Sequence, residues 1–125
     1  MTTAPMSRYP GLTLRVLAAD APAIGPGKAD LISLIDRTGS IAAAAREMGM
    51  SYRRAWQLVE AINDSFNSPV VIKAAGGKRG GGAAVTAFGR EVVAQYREME
   101  DKASSAIAAD LRQFSNRLRK PARTR

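Results

Sequence analysis

The 125-residue sequence contains no cysteine and no histidine. Without cysteine there is no disulfide framework and no thiolate to attack a substrate or hold a soft metal. Without histidine the commonest general base is missing, and with it the usual catalytic triads and almost every zinc site. Serine, lysine and tyrosine remain, but their spacing forms no recognisable catalytic constellation, and no paired-carboxylate pattern replaces one. No apolar run approaches the ~20 residues of a membrane span. The first twenty residues, MTTAPMSRYPGLTLRVLAAD, lack the apolar core of a secretory leader. The expectation is a cytoplasmic protein that is not an enzyme, carries no cofactor or metal, and has no membrane partner.

Charge of one sign is abundant and unevenly placed. The formal net charge is +8. Residues 40–80 hold six basic groups (Arg46, Arg53, Arg54, Lys73, Lys78 and Arg79) against the three acids Glu47, Glu60 and Asp64. Residues 117–125 hold five basic groups and no acid. Elsewhere eight basic and eight acidic residues cancel. A cationic surface kept for solubility would spread its charge. Clustering points to a polyanion partner. With 46% hydrophobic residues, the chain is long enough for one small globular domain.

The most informative stretch is SIAAAAREMGMSYRRAWQLVEAIN, residues 40–63. Ser40 suits an N-cap, since its hydroxyl can accept an orphan backbone N–H. Four alanines and other good helix formers follow to Met48. Gly49 suits the left-handed residue past a helix end, Met50 fills the turn, and Ser51 is a second N-cap. The spacing predicts a helix over Tyr52 to Asn63, with Ala55, Leu58, Val59 and Ile62 on one face. Arg53, Gln57 and Glu60 lie opposite, with Arg54 and Trp56 on the flanks. Two short helices, a tight glycine turn and basic residues on the outer side of the second helix make a helix-turn-helix pattern. In that motif the second helix enters the major groove. An ordinary corner between two helices is the competing reading.

Upstream, residues 1–10 read as disordered. Gly11 to Leu17 alternates Leu12, Leu14 and Val16 against Thr13, Arg15 and Leu17, a short strand with one buried face. Residues 20–27 (DAPAIGPG) read as a loop broken by Pro22 and Pro26, and Gly27 to Arg37 as a helix with the stripe Leu31, Leu34, Ile35. Downstream, DSFNSP is a turn, with Phe66 a candidate for burial beneath it. Residues 69–73 and 83–86 read as two strands bracketing the glycine-rich tip GGKRGGG. A hairpin after a helix-turn-helix is a wing, and its Lys78 and Arg79 suit a DNA phosphate or the minor groove. A nucleotide-binding loop fails on spacing, because Ile72 and Arg79 stand where glycine and serine or threonine are needed. A floppy loop with incidental charge is the plainer alternative.

Thr86 is a plausible N-cap for a long helix, Ala87 to about Leu118. Its apolar positions are Val92, Tyr96, Met99, Ala103, Ile107, Leu111, Phe114 and Leu118. That stripe outlasts the average helix of about 11–12 residues, and so small a domain cannot bury it all. Pairing with the same helix of a second copy would; folding back onto its own domain is the alternative. The steps depart from strict heptads, so helix pairing is expected rather than a long coiled coil.

The segments IGPGKADLISLIDRTGSIAAAAREMGMSYRRAWQLVEAIN and GGKRGGGAAVTAFGREVVAQYREME resemble the N-terminal domain of the ModE-type molybdate-responsive transcription regulators, distantly similar to LysR-type regulators. The resemblance covers about residues 11–102. It implies a winged helix-turn-helix, a homodimer held mainly by N-terminal-domain helices, and a palindromic operator. Full-length members continue into a molybdate-binding region of two β-rich repeats. No stretch of these 125 residues reads as such a domain, so a molybdate or tungstate site in this chain is not expected.

The expected fold is mostly α with a small β-hairpin wing: an N-terminal arm with a short strand (1–20), a winged helix-turn-helix (21–86), a long C-terminal dimerisation helix (87–118) and a disordered basic tail (119–125). The expected function is a sequence-specific DNA-binding transcriptional regulator acting as a homodimer, with a setting in molybdate- or tungstate-related control. The candidate DNA-binding residues are Ser40, Ser51, Tyr52, Arg53, Arg54, Trp56, Gln57, Lys73, Lys78 and Arg79. Arg53 and Arg54 suit guanine or phosphate, and Gln57 adenine. Trp56 has two readings, packing on the wing side of the core or lying against the sugar-phosphate edge. The candidate dimer interface is Val92, Tyr96, Met99, Ala103, Ile107, Leu111 and Phe114. A non-specific architectural nucleic-acid binder is the alternative, and an accessory protein docking through the long helix is another.

Overall fold

The structure, a computed structural model, describes residues 11–74 and 82–120. The elements run β1 (Val16–Ala18), β2 (Ala21–Ile24), α1 (Pro26–Thr38), α2 (Ile41–Met48), α3 (Tyr52–Ser65), β3 (Val71–Ala74), β4 (Gly82–Val85) and α4 (Ala87–Ser115). Four helices and two small antiparallel hairpins make a mostly α winged helix with a long C-terminal helix, as expected.

The core lies where α1, α2 and α3 meet the base of the wing. Ala29, Leu31, Ile32 and Ile35 of α1, Ala44 and Ala45 of α2, Ala55, Val59 and Ile62 of α3, and Val70, Val71, Ala83 and Val85 of the wing are all buried there. The alanines of α2 have a packing purpose: a side chain of one carbon lets α1 and α3 approach closely on either side.

The helix ends follow the local chemistry. Pro26 occupies the first turn of α1, where its fixed φ suits a helix and its missing N–H is no loss. Gly39 ends α1 with φ 71, a backbone state that costs a side-chain-bearing residue more. Its carbonyl then accepts the Ala83 N–H at 3.0 Å, tying the α1–α2 corner to β4. Gly49 ends α2 with φ 72. The Gly49 N–H reaches Arg46 O at 3.2 Å and the Met50 N–H reaches Ala45 O at 3.0 Å, the paired bonds of a Schellman turn. Ser40, Ser51 and Thr86 cap α2, α3 and α4, each accepting the N–H three residues on.

One expectation fails. The segment read as a loop at 20–27 contains β2, which pairs antiparallel with β1 through Leu17↔Pro22 and Ala18↔Ala21. Proline is tolerated in an edge strand, and β2 sends Ala23 and Ile24 into the core. The turn between the strands places Ala19 at φ 54, a position where glycine or asparagine would have signalled a hairpin. The alternation at 12–17 is present as alternating burial, but the ladder itself is only Val16–Ala18.

The long helix α4 has two different halves. Phe88, Val92 and Val93 pack against the core, and Tyr96 lies within it, 1% exposed, donating its hydroxyl to Leu14 O at 2.7 Å. Arg97 reaches Asp30 of α1 at 2.8 Å, and Arg90 grips Asp36 of α1. Beyond the buried Glu100 no residue of α4 is buried, yet the helix continues for 15 residues to Ser115, roughly 22 Å at 1.5 Å per residue. The expected interface therefore needs correcting at its start. Tyr96 belongs to its own protomer's core, and Val92 is half-buried against it. The reason is that α1, the wing base and the segment around Leu14 lie under the first three turns of the helix and claim that part of the stripe. Met99, Ile107 and Phe114 remain exposed, at 38%, 37% and 57%. Ala103 and Leu111 are half-buried. The helix ends at Ser115 rather than at Leu118.

Candidate nucleic-acid interface

Helix α3 carries three distinct faces, set by about 100° per residue. Ala55, Val59 and Ile62 are buried. Opposite them Arg53, Gln57, Glu60 and Ala61 are exposed. Among the described residues Arg53 and Gln57 have no hydrogen-bond or ion-pair partner. Ser51 fixes the start of this helix, its hydroxyl accepting the Arg54 N–H at 3.0 Å. The uncompensated N–H groups of the first turn and the side chain of Arg53 thus project from the same end, which favours an anion.

The two flanks differ. On one, Tyr52 and Trp56 face the wing. With Ile41, Ile72 and Lys73 they line an open hollow of about 420 Å³ between α3, the start of α2 and strands β3 and β4. Tyr52 and Ile72 are half exposed there, at 53% and 48%. Trp56 is half-buried and packs against the core, which is the wing-side packing of its two readings. Lys73 is exposed on β3, opposite Ala83 in the ladder. On the other flank Arg54 and Leu58 face the β1–β2 hairpin and the start of α1.

The sequence-derived candidates therefore divide. Ser51, Tyr52, Arg53, Arg54 and Gln57 lie together on the exposed end and flanks of α3, and Lys73 stands across the hollow from Tyr52. Ser40 is half-buried at the α1–α2 corner, its hydroxyl accepting the Ala43 N–H at 3.0 Å, so capping occupies it. Lys78 and Arg79 lie outside the described residues, as do residues 1–10 and 121–125.

The wing is held to α3 by a residue that sequence reasoning missed. Asn63 accepts the Val70 and Val71 N–H groups at 2.8 and 3.1 Å and donates to Val71 O at 2.9 Å. Its side chain acts as one more rung of the ladder, fixing where the wing leaves the recognition helix. A polar residue on the flank of α3, seven residues before a β-branched run, was the available signal. Thr86 closes the wing from the other side, donating its hydroxyl to Pro69 O at 2.7 Å while its N–H reaches Val70 O at 2.9 Å.

Among the described residues no three His, Cys, Asp or Glu side chains gather as a metal site would, and no helix is long and apolar enough to cross a membrane.

No protein-family model matches the chain. Individual relatives do. The molybdenum-pterin-binding protein MopB of Rhodobacter capsulatus is 46% identical over 85 residues, which cover 68% of this chain and 32% of that protein. The molybdenum transport protein ModE of Azotobacter vinelandii is 40% identical over 77 residues, 62% of this chain and 28% of that protein. The DNA-binding transcriptional dual regulator ModE of Escherichia coli K12 is 32% identical over 88 residues, 68% of this chain and 34% of that protein. The chain spans about a third of the length of the curated relatives it matches. Over that shared stretch the chain is a homologue of the ModE and Mop proteins, and its architecture is a mostly α winged helix with a long C-terminal helix.

Proposed function

We propose that the chain is a sequence-specific DNA-binding transcriptional regulator that acts as a homodimer on a palindromic operator. The observation that carries this reading is the outward face of α3: Arg53 and Gln57 exposed, unpartnered among the described residues, and set on a capped helix end. Such a helix fits the major groove, and arginine and glutamine are the side chains that pair bidentately with guanine and adenine. The homology to a DNA-binding regulator supports it independently.

The second copy is supported by the exposed half of α4. Met99, Ile107 and Phe114 form an exposed apolar stripe there, beside Leu111, which Gly11 of the arm approaches, and Ala103 between them allows close approach. A two-fold pairing there sets two recognition helices to read half-sites roughly 34 Å apart. Molybdate- or tungstate-related control is the setting that the relatives' names support.

Selection of binding sites from a random duplex library tests the reading. The expected result is a two-fold symmetric motif with half-sites one helical turn apart. Equal affinity for all duplexes at matched salt would instead favour an architectural binder, the alternative that the +8 charge supports.

A further inference from the structure

A second cationic hollow lies on the far flank of α3. Arg15 from the arm, Lys28 from the first turn of α1 and Arg54 from α3 surround a cavity of about 430 Å³ floored by Met48 and Leu58. Among the described residues no acidic side chain lines it. The three come from parts of the chain 13 and 26 residues apart, so their meeting is a product of the fold. The Arg15 side chain crosses Gly25 so closely that a Cβ there would meet its Cγ at 3.2 Å. Lys28 is held in place by donating to Pro22 O at 2.8 Å, which leaves two of its three N–H donors for a ligand. Partial burial, and then the charge of Arg54, both lower the pKa of Lys28. Like charges are thus gathered here, and among the described residues that line the cavity none is acidic. The N-terminus of α1 opens beside them with no side-chain cap and no acid in its first turn.

We infer that Arg15, Lys28 and Arg54 form a phosphate-oxyanion site, and that in the DNA complex it grips a backbone phosphate beside the groove that α3 enters. The DNA assignment rests on the reading of α3 given above; the site itself does not. Arg54 decides the source, because it sits in the first turn of the recognition helix, one residue from Arg53 but on the flank. Its role is therefore positioning on the backbone rather than base reading. A free phosphate or similar small oxyanion has the same chemistry and is the other source.

Two measurements on the full chain separate the outcomes. The first is the salt dependence of binding to the selected operator and to random duplex, for the wild type and the double variant Arg15→Gln/Lys28→Gln. Losing one phosphate contact should lower the slope of log K against log salt by about 0.9, equally on both duplexes, with base preference unchanged. The second is a titration with inorganic phosphate, without DNA, followed by amide NMR at Gly27 and Lys28. A lowered slope establishes the backbone phosphate. An unchanged slope with saturable shifts at Gly27 and Lys28 that the double variant abolishes keeps the site but assigns it to a free oxyanion. An unchanged slope with no such shifts overturns the proposal, even where wild type binds its operator normally. Wild type that ignores duplex altogether refutes the reading of α3 and leaves the phosphate titration to decide the site.

Discussion

Gly89→Ala in α4 sets two physical effects against each other. Glycine inside a helix costs about 1 kcal/mol relative to alanine, so helix propensity alone makes the substitution stabilising. The packing says the opposite. A Cβ on Gly89 would lie 2.6 Å from Val70 O, 2.8 Å from Val85 Cγ1 and 2.9 Å from Val70 Cγ1. The carbon contacts fall roughly 0.6 Å or more short of an unstrained 3.5 Å. The nearest atom is a carbonyl oxygen that cannot retreat freely, because it accepts the Thr86 N–H at 2.9 Å while the Val70 N–H is held by Asn63 at 2.8 Å. Overpacking costs about 1–3 kcal/mol, and a fixed backbone obstacle belongs at the upper end. Subtracting the propensity gain leaves a net loss of about 2 kcal/mol, on the order of 10 °C in Tm for a domain of this size. Thermal unfolding at one fixed protein concentration measures it, since dimerisation would make Tm concentration-dependent. Ala94→Gly, at an exposed position of the same helix, is the reference and should lose about 1 kcal/mol. A Gly89→Ala variant as stable as wild type, or more so, would refute the close approach of α4 to the wing base.

Three further outcomes follow from the same contacts. Asn63→Ala leaves the Val70 and Val71 N–H groups without their acceptor and should cost about 2 kcal/mol, with hydrogen exchange at those two amides accelerating more than in α1; unchanged exchange there would contradict the clasp. Tyr96→Phe removes the 2.7 Å bond to Leu14 O and should cost about 1 kcal/mol at neutral pH. Burial first, then the charge of Glu100, raises the pKa of the Tyr96 phenol, so the unfolded chain loses that proton first. Stability from this group is whole below the unfolded tyrosine pKa of about 10 and declines as pH rises beyond it. The wild-type advantage over Tyr96→Phe should therefore shrink in alkaline solution, and a constant gap would contradict the burial. Ile107→Glu/Phe114→Glu places charges on the exposed stripe of the C-terminal half of α4 and should convert a dimer to monomer in sedimentation equilibrium without lowering helix content. An unchanged mass would remove α4 as the pairing surface.

Much of this architecture is legible in the residues because local rules and the fold agree there. Ser40, Gly49, Ser51 and Thr86 each announce a helix boundary by chemistry that acts within three residues, and each boundary falls where that chemistry puts it. The buried face of α3 follows from spacing alone. What is not legible depends on distant partners. The β1–β2 hairpin turns through Ala19 and tolerates Pro22, both against local preference, because the core rewards burying Ala23 and Ile24. Tyr96 fits the exposed stripe of a long helix equally well on paper; only the position of α1 and of the segment around Leu14 under that turn takes it inside. Asn63 reads as a helix-end polar residue until the wing is folded against it. On α3, periodicity separates Arg53 from the core, but it does not show that Arg54 turns toward Arg15 and Lys28, since those residues reach it through the tertiary fold.

The most direct measurement is the operator discrimination of Arg53→Ala: affinities of wild type and variant for the selected operator and for its single-base substitutions, at one salt concentration. Base reading by α3 predicts a loss of roughly 1–3 kcal/mol on the operator and relaxed preference at one position of each half-site, with the other positions still discriminated. Identical discrimination profiles for the two proteins would contradict it.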